Sequence, residues 1–291
     1  MAVRWMITGA AGMVAADLTE AISDGGEELF PVKRGELDIT DAAAVARYVE
    51  NIRPSVIINC AAFTRVDDAE THEAAAMAIN GQAVRNLAAA ADAVDALLVQ
   101  ISTDFVFDGT AREPYDVSAQ TNPLSAYGRT KLVGEQEALA CHRHLIVRTS
   151  WLFGTHGNNF VEAIRRQIDS GKSSLKVVDD QQGKPTYTPH LAEALIALSR
   201  NALEAHSKGG VCHYADDSEA SWFDFAKAIV DELKSRGRLQ QDVIIQPVST
   251  AEFQRPAVRP QYSVLSTSSY VERTGKTPRS WRRGLEEYFR A

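Results

Sequence analysis

Tyr127 and Lys131 stand four residues apart in the run Tyr-Gly-Arg-Thr-Lys. On a helix this spacing places both side chains on one face, one turn from each other. A nearby ammonium group favours the ionised phenol, so we expect Lys131 to lower the pKa of Tyr127 from its usual value of about 10. A phenol with a lowered pKa can pass a proton to a substrate oxygen near neutral pH. Thr103, in the run Ser-Thr-Asp upstream, offers a second hydroxyl to the same oxygen.

Tyr-x-x-x-Lys alone is a weak sign of function, because both residues are common on solvated helix faces. A glycine-rich loop near the start of the chain strengthens the functional interpretation. An apolar run at 3–8 leads into Gly-Ala-Ala-Gly and then a helical pattern through residue 22. Strand, glycine turn and helix is the context in which a loop cradles a dinucleotide pyrophosphate. Gly9 permits the tight turn, and Gly12 lets the backbone approach phosphates at the helix N-terminus. Ala15, where a third glycine is usual, is still small enough for close helix–strand packing.

Two cations, Lys33 and Arg34, follow the second predicted strand at 28–32. A carboxylate at this point would hold the ribose hydroxyls of NAD and repel the 2′-phosphate of NADPH. A guanidinium or an ammonium group can instead pair with that phosphate. The sequence therefore predicts that NADPH is preferred over NADH, or at least accepted as well.

The elements that position these residues alternate between strand and helix. The predicted strands at 56–59, 96–102 and 145–147 are apolar runs, as expected of strands buried on both faces. The predicted helices lie at 42–51, 68–80 and 82–93, with another beginning near residue 126. This alternation predicts an α/β fold with a doubly wound (Rossmann) parallel sheet, formed by an NAD(P)-binding domain at 1–150. Ligands of such sheets bind at the carboxyl ends of the strands, where Ser-Thr-Asp falls.

The second half of the chain, 151–291, is less regular. Helical patterns occur at 159–168, 191–203 and 222–233, with short strand patterns at 176–178 and 211–214. We predict that this half forms a smaller, interleaved α/β substrate-binding lobe, with some segments returning to the sheet.

Composition narrows the class of protein. The chain has 291 residues with a net charge of −7, which argues against a general nucleic-acid or membrane-surface binder. The three cysteines are far apart and match neither a disulfide framework nor a zinc spacing. No apolar run approaches the roughly 18 residues of a membrane span, and the start of the chain does not read as a signal peptide. We therefore expect a cytoplasmic protein.

Taken together, the motifs resemble the extended short-chain dehydrogenase/reductase family, and within it the reductases of nucleotide-activated 4-keto sugars. The matching segments are 8–12, 37–41, 59–70, 102–109, 127–131, 148–154, 180–186, 221–226 and 259–265. The segment 102–109, Ser-Thr-Asp-Phe-Val-Phe-Asp-Gly, is the most specific of these. Most sugar-nucleotide epimerases of this fold carry a different string there.

This resemblance implies an NADPH- or NADH-dependent reduction of the C4 ketone of dTDP-4-dehydro-6-deoxy-L-mannose to dTDP-L-rhamnose. It implies that Tyr127 protonates the carbonyl oxygen, that Thr103 hydrogen-bonds it, and that Lys131 holds the nicotinamide ribose. The cofactor-binding residues it implies are Gly9, Ala11, Gly12, Met13, Val14, Lys33, Arg34, Asp38, Ile39, Ala61, Ala62, Thr64, Tyr127 and Lys131. The substrate-binding residues it implies are Thr103, Asp104, Phe105, Trp151 and Arg259. For Trp151, stacking on a base or sugar and ordinary core packing both stay open.

One departure besides Ala15, an open question about a metal, and two alternatives accompany the resemblance. Arg65 stands where a smaller or neutral residue is expected, which leaves the exact sugar open. Some family members are dimers around a magnesium ion held by glutamates. Only Glu193 lies near such a position here, so we predict no metal site and leave a homodimer open. The alternatives are a reductase or epimerase of another 4-keto sugar nucleotide, and a non-catalytic NADP-binding regulatory subunit of methionine adenosyltransferase.

Overall fold

Six parallel strands form the central sheet of the computed structural model, which describes residues 2–23, 25–205 and 209–291. The strands of the first half are β1 Arg4–Thr8, β2 Glu28–Val32, β3 Val56–Asn59, β4 Leu97–Thr103 and β5 His144–Thr149. The sixth strand, β10 Gly209–His213, comes from the second half, and the complete order is β10-β5-β4-β3-β1-β2. The predicted doubly wound parallel sheet is confirmed.

Helices cover both faces of the sheet. In the first half they are α1 Met13–Ser23, α2 Ala42–Ile52, α3 Val66–Ala69, α4 Glu73–Met77, α5 Ala83–Ala93 and α6 Ala126–Ala138. One apolar core joins the sheet to α1 and to α8 (Thr188–Glu204) around Trp5, Leu18 and Leu195. The opposite core joins it to α2 and α5 around Met6 and Leu87. Burial on both faces explains why β3 is a continuous apolar run.

The strand order creates a crevice at one edge of the sheet. β1 pairs with β2 on one side and with β3 on the other, so the chain changes direction between β1 and β3. In an open parallel sheet, ligands bind outside the carboxyl ends of the strands at such a switch point. The loop that follows β1, and the residues that follow β3 and β4, therefore face the same crevice.

The second half forms a smaller lobe and returns one strand to the sheet. Its strands are β6 Leu152–Phe153, β7 Ser174–Val178, β8 Gln182–Gly183, β9 Thr186–Tyr187, β10 Gly209–His213, β11 Ala220–Ser221 and β12 Ile244–Val248. Its helices are α7 Phe160–Asp169, α8 Thr188–Glu204, α9 Trp222–Ser235, α10 Ser268–Thr274 and α11 Trp281–Tyr288. A separate aromatic core around Phe153, Phe225 and Trp281 holds this lobe together. The division of the chain at residue 150 stays a prediction.

The predicted helix at 68–80 is wrong. The chain forms the short helices α3 and α4 there, followed by a π-helical turn at Ala78–Gln82 that leads into α5. Asn80, inside this turn, hydrogen-bonds both the N–H and the C=O of Phe63. Such side-chain bonds compete with regular helix, and π-turns often mark functional sites.

Among the helices in the described part of the chain, none is long and apolar enough to cross a membrane.

Candidate active site

The glycine-rich loop between β1 and α1 is shaped for close backbone approach. Gly9 has a φ of +65°, and a Cβ there would lie 2.7 Å from the Ala61 backbone nitrogen. Gly12 donates its N–H to the carbonyl of Gly9 at 2.8 Å and precedes the first turn of α1. Ala11 and Gly12 are exposed, while Met13 is half-buried. The free N–H groups at the start of α1 suit an anion, so this loop fits a dinucleotide pyrophosphate.

A buried polar network fixes the ends of three neighbouring strands beside that loop. The Thr8 hydroxyl donates to Asn59 Oδ1 at 2.6 Å, and Asn59 Nδ2 donates to Gln100 Oε1 at 2.7 Å. The Ala61 N–H also donates to Asn59 Oδ1, at 3.3 Å. Side chains of β1, β3 and β4 thus hold Ala61 against the glycine loop. Polar residues at the ends of apolar strands are the sequence signal for this network.

The cations proposed for the cofactor phosphate lie where the sequence predicts them. Lys33 and Arg34 follow the last residue of β2, and both are exposed. Asp38 is also exposed, and bonds from Thr40 lower the pKa of its carboxyl. Ile39 is buried. This exposed strip borders the crevice on the β2 side of the glycine loop.

Lys131 points from α6 into the sheet. Its Nζ donates to the Ile101 carbonyl of β4 at 2.6 Å, and the side chain is 3% exposed. Burial lowers the pKa of Lys131 to about 8, while the neighbouring Glu135 acts in the opposite direction. Helix α6 begins at Ala126, and Ser125 caps it by accepting the Gly128 N–H. This cap sets the first turn of the helix, which carries Tyr127.

The expected low pKa of Tyr127 is wrong. Desolvation raises the pKa of Tyr127 to about 12, and the hydrogen bond with Thr103 lowers it only in part. The negative charge of Asp104 adds to the rise. The ammonium group of Lys131 is held by the Ile101 carbonyl. The dominant effect on the phenol is therefore loss of solvent, which disfavours its charged form.

Thr103 and Asp104 meet at the carboxyl end of β4. The Thr103 hydroxyl donates to Asp104 Oδ1 at 3.0 Å and accepts the Phe105 N–H at 3.2 Å. Asp104 is buried, and its Oδ2 accepts from the Ser263 hydroxyl at 2.6 Å. The Phe105 ring meets the Tyr127 ring edge-on, with centroids 5.6 Å apart. The structure thus brings together Thr103, Tyr127 and Lys131 beside the crevice.

Trp151 occupies a strained position next to a cavity. Its φ is +47°, and its ring stacks on Trp222 with centroids 3.6 Å apart and planes 6° apart. A side chain at Gly183 would touch the Trp151 ring. Positive φ at a bulky residue costs on the order of 1–3 kcal/mol and is concentrated at functional sites. The ring contacts fit the packing interpretation, and Trp222 presents the stack to the cavity.

The cavity has a volume of about 470 Å³ and is lined by residues of the second half of the chain. Its apolar wall includes Phe160, Trp222 and Phe253, while Arg255 and Arg259 lie on its rim. The Arg259 guanidinium is paired with the Asp67 carboxylate through contacts of 3.0 and 3.1 Å. This ion pair therefore joins the loop that carries Arg259 to α3 across the crevice.

Four residues at this site were missed by sequence reasoning: Asn80, Ser263, Asp67 and Trp222. Asn80 also donates to the Thr130 hydroxyl of α6, at 3.1 Å, so it links the loop after β3 to the helix of Tyr127. Asn-Gly inside an alanine-rich helical pattern was the available signal. The others depend on contacts between distant parts of the chain. Ala62 is half-buried and Thr64 exposed, on the loop that follows β3.

The magnesium site of some family members is not assigned to this chain. The Glu193 carboxylate is ion-paired with Arg279. Elsewhere in residues 2–23, 25–205 and 209–291, one group of three potential ligands occurs, formed by Asp17, Glu20 and His156. Glu20 and His156 are exposed, and acidic groups of this kind are common without a metal.

Comparison with known proteins shows which family the chain belongs to. The family model described as the RmlD substrate binding domain matches residues 3–291. The dTDP-4-dehydrorhamnose reductase of Streptomyces griseus is 40% identical over 290 residues, covering 99% of this chain and 93% of the relative. The dTDP-4-keto-6-deoxy-D-glucose reductase of Streptomyces niveus is 41% identical over 290 residues, covering 98% and 96%.

A solved structure shows the same similarity in three dimensions. The dTDP-4-dehydrorhamnose reductase of Bacillus anthracis, in complex with NADP, superposes with a TM-score of 0.90 at 38% identity. The superposition covers 99% of both chains. The structure of that enzyme from Clostridium acetobutylicum gives the same TM-score at 40% identity.

Proposed function

Since this chain belongs to the RmlD family, we propose that it is an NADPH-dependent reductase of the C4 ketone of a dTDP-activated 6-deoxy sugar. We further propose that dTDP-4-dehydrorhamnose is its substrate and dTDP-L-rhamnose its product. The observation that carries the proposal is the meeting of Thr103, Tyr127 and Lys131 beside the glycine loop and the switch point of the sheet. Full-length similarity to curated reductases supports the reaction class.

Residues of the chain have separate roles in the proposed reaction. NADPH, when bound, supplies the hydride that reaches the carbonyl carbon. Tyr127 is the proton donor to the carbonyl oxygen, and its pKa of about 12 keeps the proton on the phenol until an alkoxide forms. Thr103 hydrogen-bonds the same oxygen where negative charge develops. Losing one such donor costs roughly 3–4 kcal/mol in comparable sites.

Lys131 contributes through its position. The Nζ is fixed by the Ile101 carbonyl, which leaves its other protons for the nicotinamide ribose. Glu135, one turn further along α6, favours the charged form of Lys131. Glu135 is itself held by Arg148 through two contacts of 2.9 and 2.7 Å. The buried Glu135–Arg148 pair therefore fixes the carboxylate that favours the charged form of Lys131.

The cavity suits the nucleotide part of the substrate. Its aromatic wall can stack on a base, and the guanidinium groups on its rim suit a diphosphate. We propose that Trp222 carries the stacking surface, with Trp151 behind it. We also propose that the diphosphate competes with Asp67 for Arg259. The geometry of a bidentate pair with a carboxylate is also that of a pair with a phosphate.

The cysteines bear on the location of the protein. Cys60, Cys141 and Cys212 are all free thiols, which is typical of a reducing compartment and supports a cytoplasmic location. A homodimer stays a prediction, and the substrate is a small nucleotide sugar.

The decisive experiment is an assay of NADPH oxidation with dTDP-4-dehydrorhamnose generated in place by the enzymes that make it. We expect one NADPH consumed per sugar reduced. An epimerase would convert the sugar without net consumption, and a regulatory subunit would bind NADPH without turnover. Either result would overturn the proposal.

A second candidate differs only in the sugar. The Streptomyces niveus relative is named as a reductase of dTDP-4-keto-6-deoxy-D-glucose, which favours testing that compound beside the first. Proton NMR of the purified products gives the configuration at C4 and C5. The compound with the higher kcat/KM identifies the substrate.

A further inference from the structure

Asp104 is a buried carboxyl group held by two hydroxyls from different parts of the chain. It is 1% exposed. Its Oδ1 accepts from Thr103 at 3.0 Å, and its Oδ2 accepts from Ser263 at 2.6 Å. The groups that face it are Thr103 on its own strand end, Tyr127 of α6, and Ser263. No cation forms an ion pair with Asp104 in the part of the chain that the structure describes.

An ionised Asp104 would turn Thr103 away from the substrate. A hydroxyl has one proton to donate and two lone pairs to accept with. The Thr103 proton points to Asp104, and one lone pair is used by the Phe105 N–H. The remaining lone pair can only accept, and its neighbour is the Tyr127 hydroxyl. Thr103 then has no proton for a carbonyl oxygen, and Tyr127 is drawn toward Thr103.

A neutral Asp104 reverses this arrangement. With a proton on Oδ1, Asp104 donates to the Thr103 oxygen, and the Phe105 N–H fills the second lone pair. The proton of Thr103 is then free to point at the substrate oxygen. Ser263 determines which carboxyl oxygen carries the proton, because its donation to Oδ2 leaves Oδ1 as the better place.

The position of Ser263 is itself fixed. Its N–H donates to the Gln182 carbonyl at 2.8 Å, and the Gln182 N–H donates to the Gln261 carbonyl at 2.7 Å. This β-bridge between the segment at 261–263 and β8 anchors Ser263 in the second half of the chain. The hydroxyl therefore reaches Asp104 from the smaller lobe across the crevice.

We propose that Asp104 works as a neutral carboxylic acid, and that Ser263 directs its proton toward Thr103 so that Thr103 donates to the substrate oxygen. Both are positioning residues in this role, which rests on the proposed reduction. Burial supports it by raising the pKa of Asp104 to about 6, despite the hydrogen bonds from Ser263, from Thr103 and from the backbone N–H groups of Asp104 and Phe105. Substrate that closes the crevice would exclude more water and raise that pKa further.

The test compares pH profiles of kcat for the parent, Asp104→Asn and Asp104→Ala. For the parent we expect kcat to fall about tenfold per pH unit above the pKa of Asp104 in the complex. The Asn amide donates to Thr103 at every pH and still accepts from Ser263. The fall of kcat at high pH, which is the alkaline limb of the profile, should therefore disappear in Asp104→Asn, and this holds for any value of its KM. Asp104→Ala lacks the donor and should be at least about tenfold slower than Asp104→Asn at every pH. Equal losses in the Asn and Ala variants, or a parent profile without this limb, would overturn the proposal.

Ser263→Ala gives a second readout that a merely structural role would not produce. Removing a donor to the ionised form raises the pKa of Asp104, so the limb should move to higher pH. A limb that stays in place would remove Ser263 from the proposal.

A measurement without substrate separates this inference from the proposed function. Infrared difference spectra of the NADPH-bound parent minus Asp104→Asn report the Asp104 carboxyl directly. We expect a protonated carboxyl at about pH 5 that ionises near pH 6 or above. A carboxylate throughout that range would overturn the inference. A parent chain that reduces no dTDP-4-keto sugar would overturn the proposed function alone.

Discussion

At the carboxyl edge of the sheet, desolvation is the largest influence on the pKa values of Lys131, Tyr127 and Asp104. Lys131 has its pKa lowered and Tyr127 has its pKa raised, both mainly by burial. The spacing of the two residues is visible in the sequence, but their depth is not. Sequence reasoning therefore gave the wrong direction for the pKa shift of the phenol. Depth depends on how far α6 sinks against β4, which is a property of the packed structure.

For Tyr127→Phe we expect NADPH binding nearly unchanged and kcat lowered by a factor of about 10²–10⁴, the scale of losing a general acid. The variant removes the proposed proton donor but keeps the ring contact with Phe105. Stopped-flow reduction and the dissociation constant for NADPH measure the two quantities separately. A Phe variant that reduces the keto sugar at the parent rate would show that another group supplies the proton.

We propose that two exposed residues, Lys33 and Arg34, decide the choice of cofactor. Charge-assisted bonds to phosphate contribute roughly 1.5–3 kcal/mol, and exposed ion pairs only about 0–1 kcal/mol. We therefore expect a preference for NADPH of between a few-fold and about a hundredfold. Dissociation constants for NADPH and NADH, measured on the parent and on Lys33→Ala with Arg34→Ala, test this. Tighter NADH binding by the parent, or no loss of NADPH affinity in the double variant, would contradict it.

At the scale of elements, the glycine loop and the start of α1 form one unit with the loop after β3. Gly9 is in contact with Ala61, which Asn59 holds in place. The sequence predicts the tight turn at Gly9, since strand, glycine and helix occur in order. It did not show the neighbour, because Ala61 comes from another strand end.

For Gly9→Ala we expect NADPH affinity to fall by at least about tenfold, because a Cβ 2.7 Å from the Ala61 nitrogen must push the two loops apart. Gly26→Ala is the matched control, since Gly26 has a φ of +69° with nothing within 4 Å of its Cβ. Each variant carries the backbone penalty of about 1–2 kcal/mol for the left-handed region. Calorimetric titration with NADPH measures the affinity, and unfolding measures the shared penalty. Equal NADPH affinities in the two variants would show that the contact with Ala61 is unimportant.

At the scale of the whole molecule, the sequence predicts what is local and periodic. The parallel sheet follows from alternating strands and helices, and Asp41 caps α2 where a helix start was expected. Contacts between the halves are not predictable in this way. Arg259 and Asp67 are 192 residues apart, and Ser263 and Asp104 are 159 residues apart. Neither pair leaves a pattern in a single sequence, because each depends on how the smaller lobe closes over the sheet.

The same closure buries a histidine whose protonation destabilises the folded chain. His213 ends β10, is fully buried, and contacts the Tyr115 carbonyl through Nδ1 and Arg148 through Nε2. Burial, with the charge of Arg148 next, lowers the pKa of His213 to about 3. Between that value and the usual pKa of about 6.5, the unfolded chain binds a proton that the folded chain does not. Stability contributed by the neutral ring is therefore complete above about pH 6.5 and is lost as the pH falls toward 3.

We expect the free energy of unfolding of His213→Gln to fall less steeply with decreasing pH than that of the parent. One proton corresponds to a slope of at most about 1.4 kcal/mol per pH unit, so the variant should lose up to that much slope between about pH 4 and pH 6.5. It should also be less stable than the parent at neutral pH, because Gln cannot contact both Tyr115 and Arg148 as the ring does. Urea unfolding at several pH values gives the slopes, with the exposed His142→Gln as control. Parallel curves for His213→Gln and the parent would mean that the ring is already protonated inside the fold, which its contact with the Arg148 guanidinium opposes.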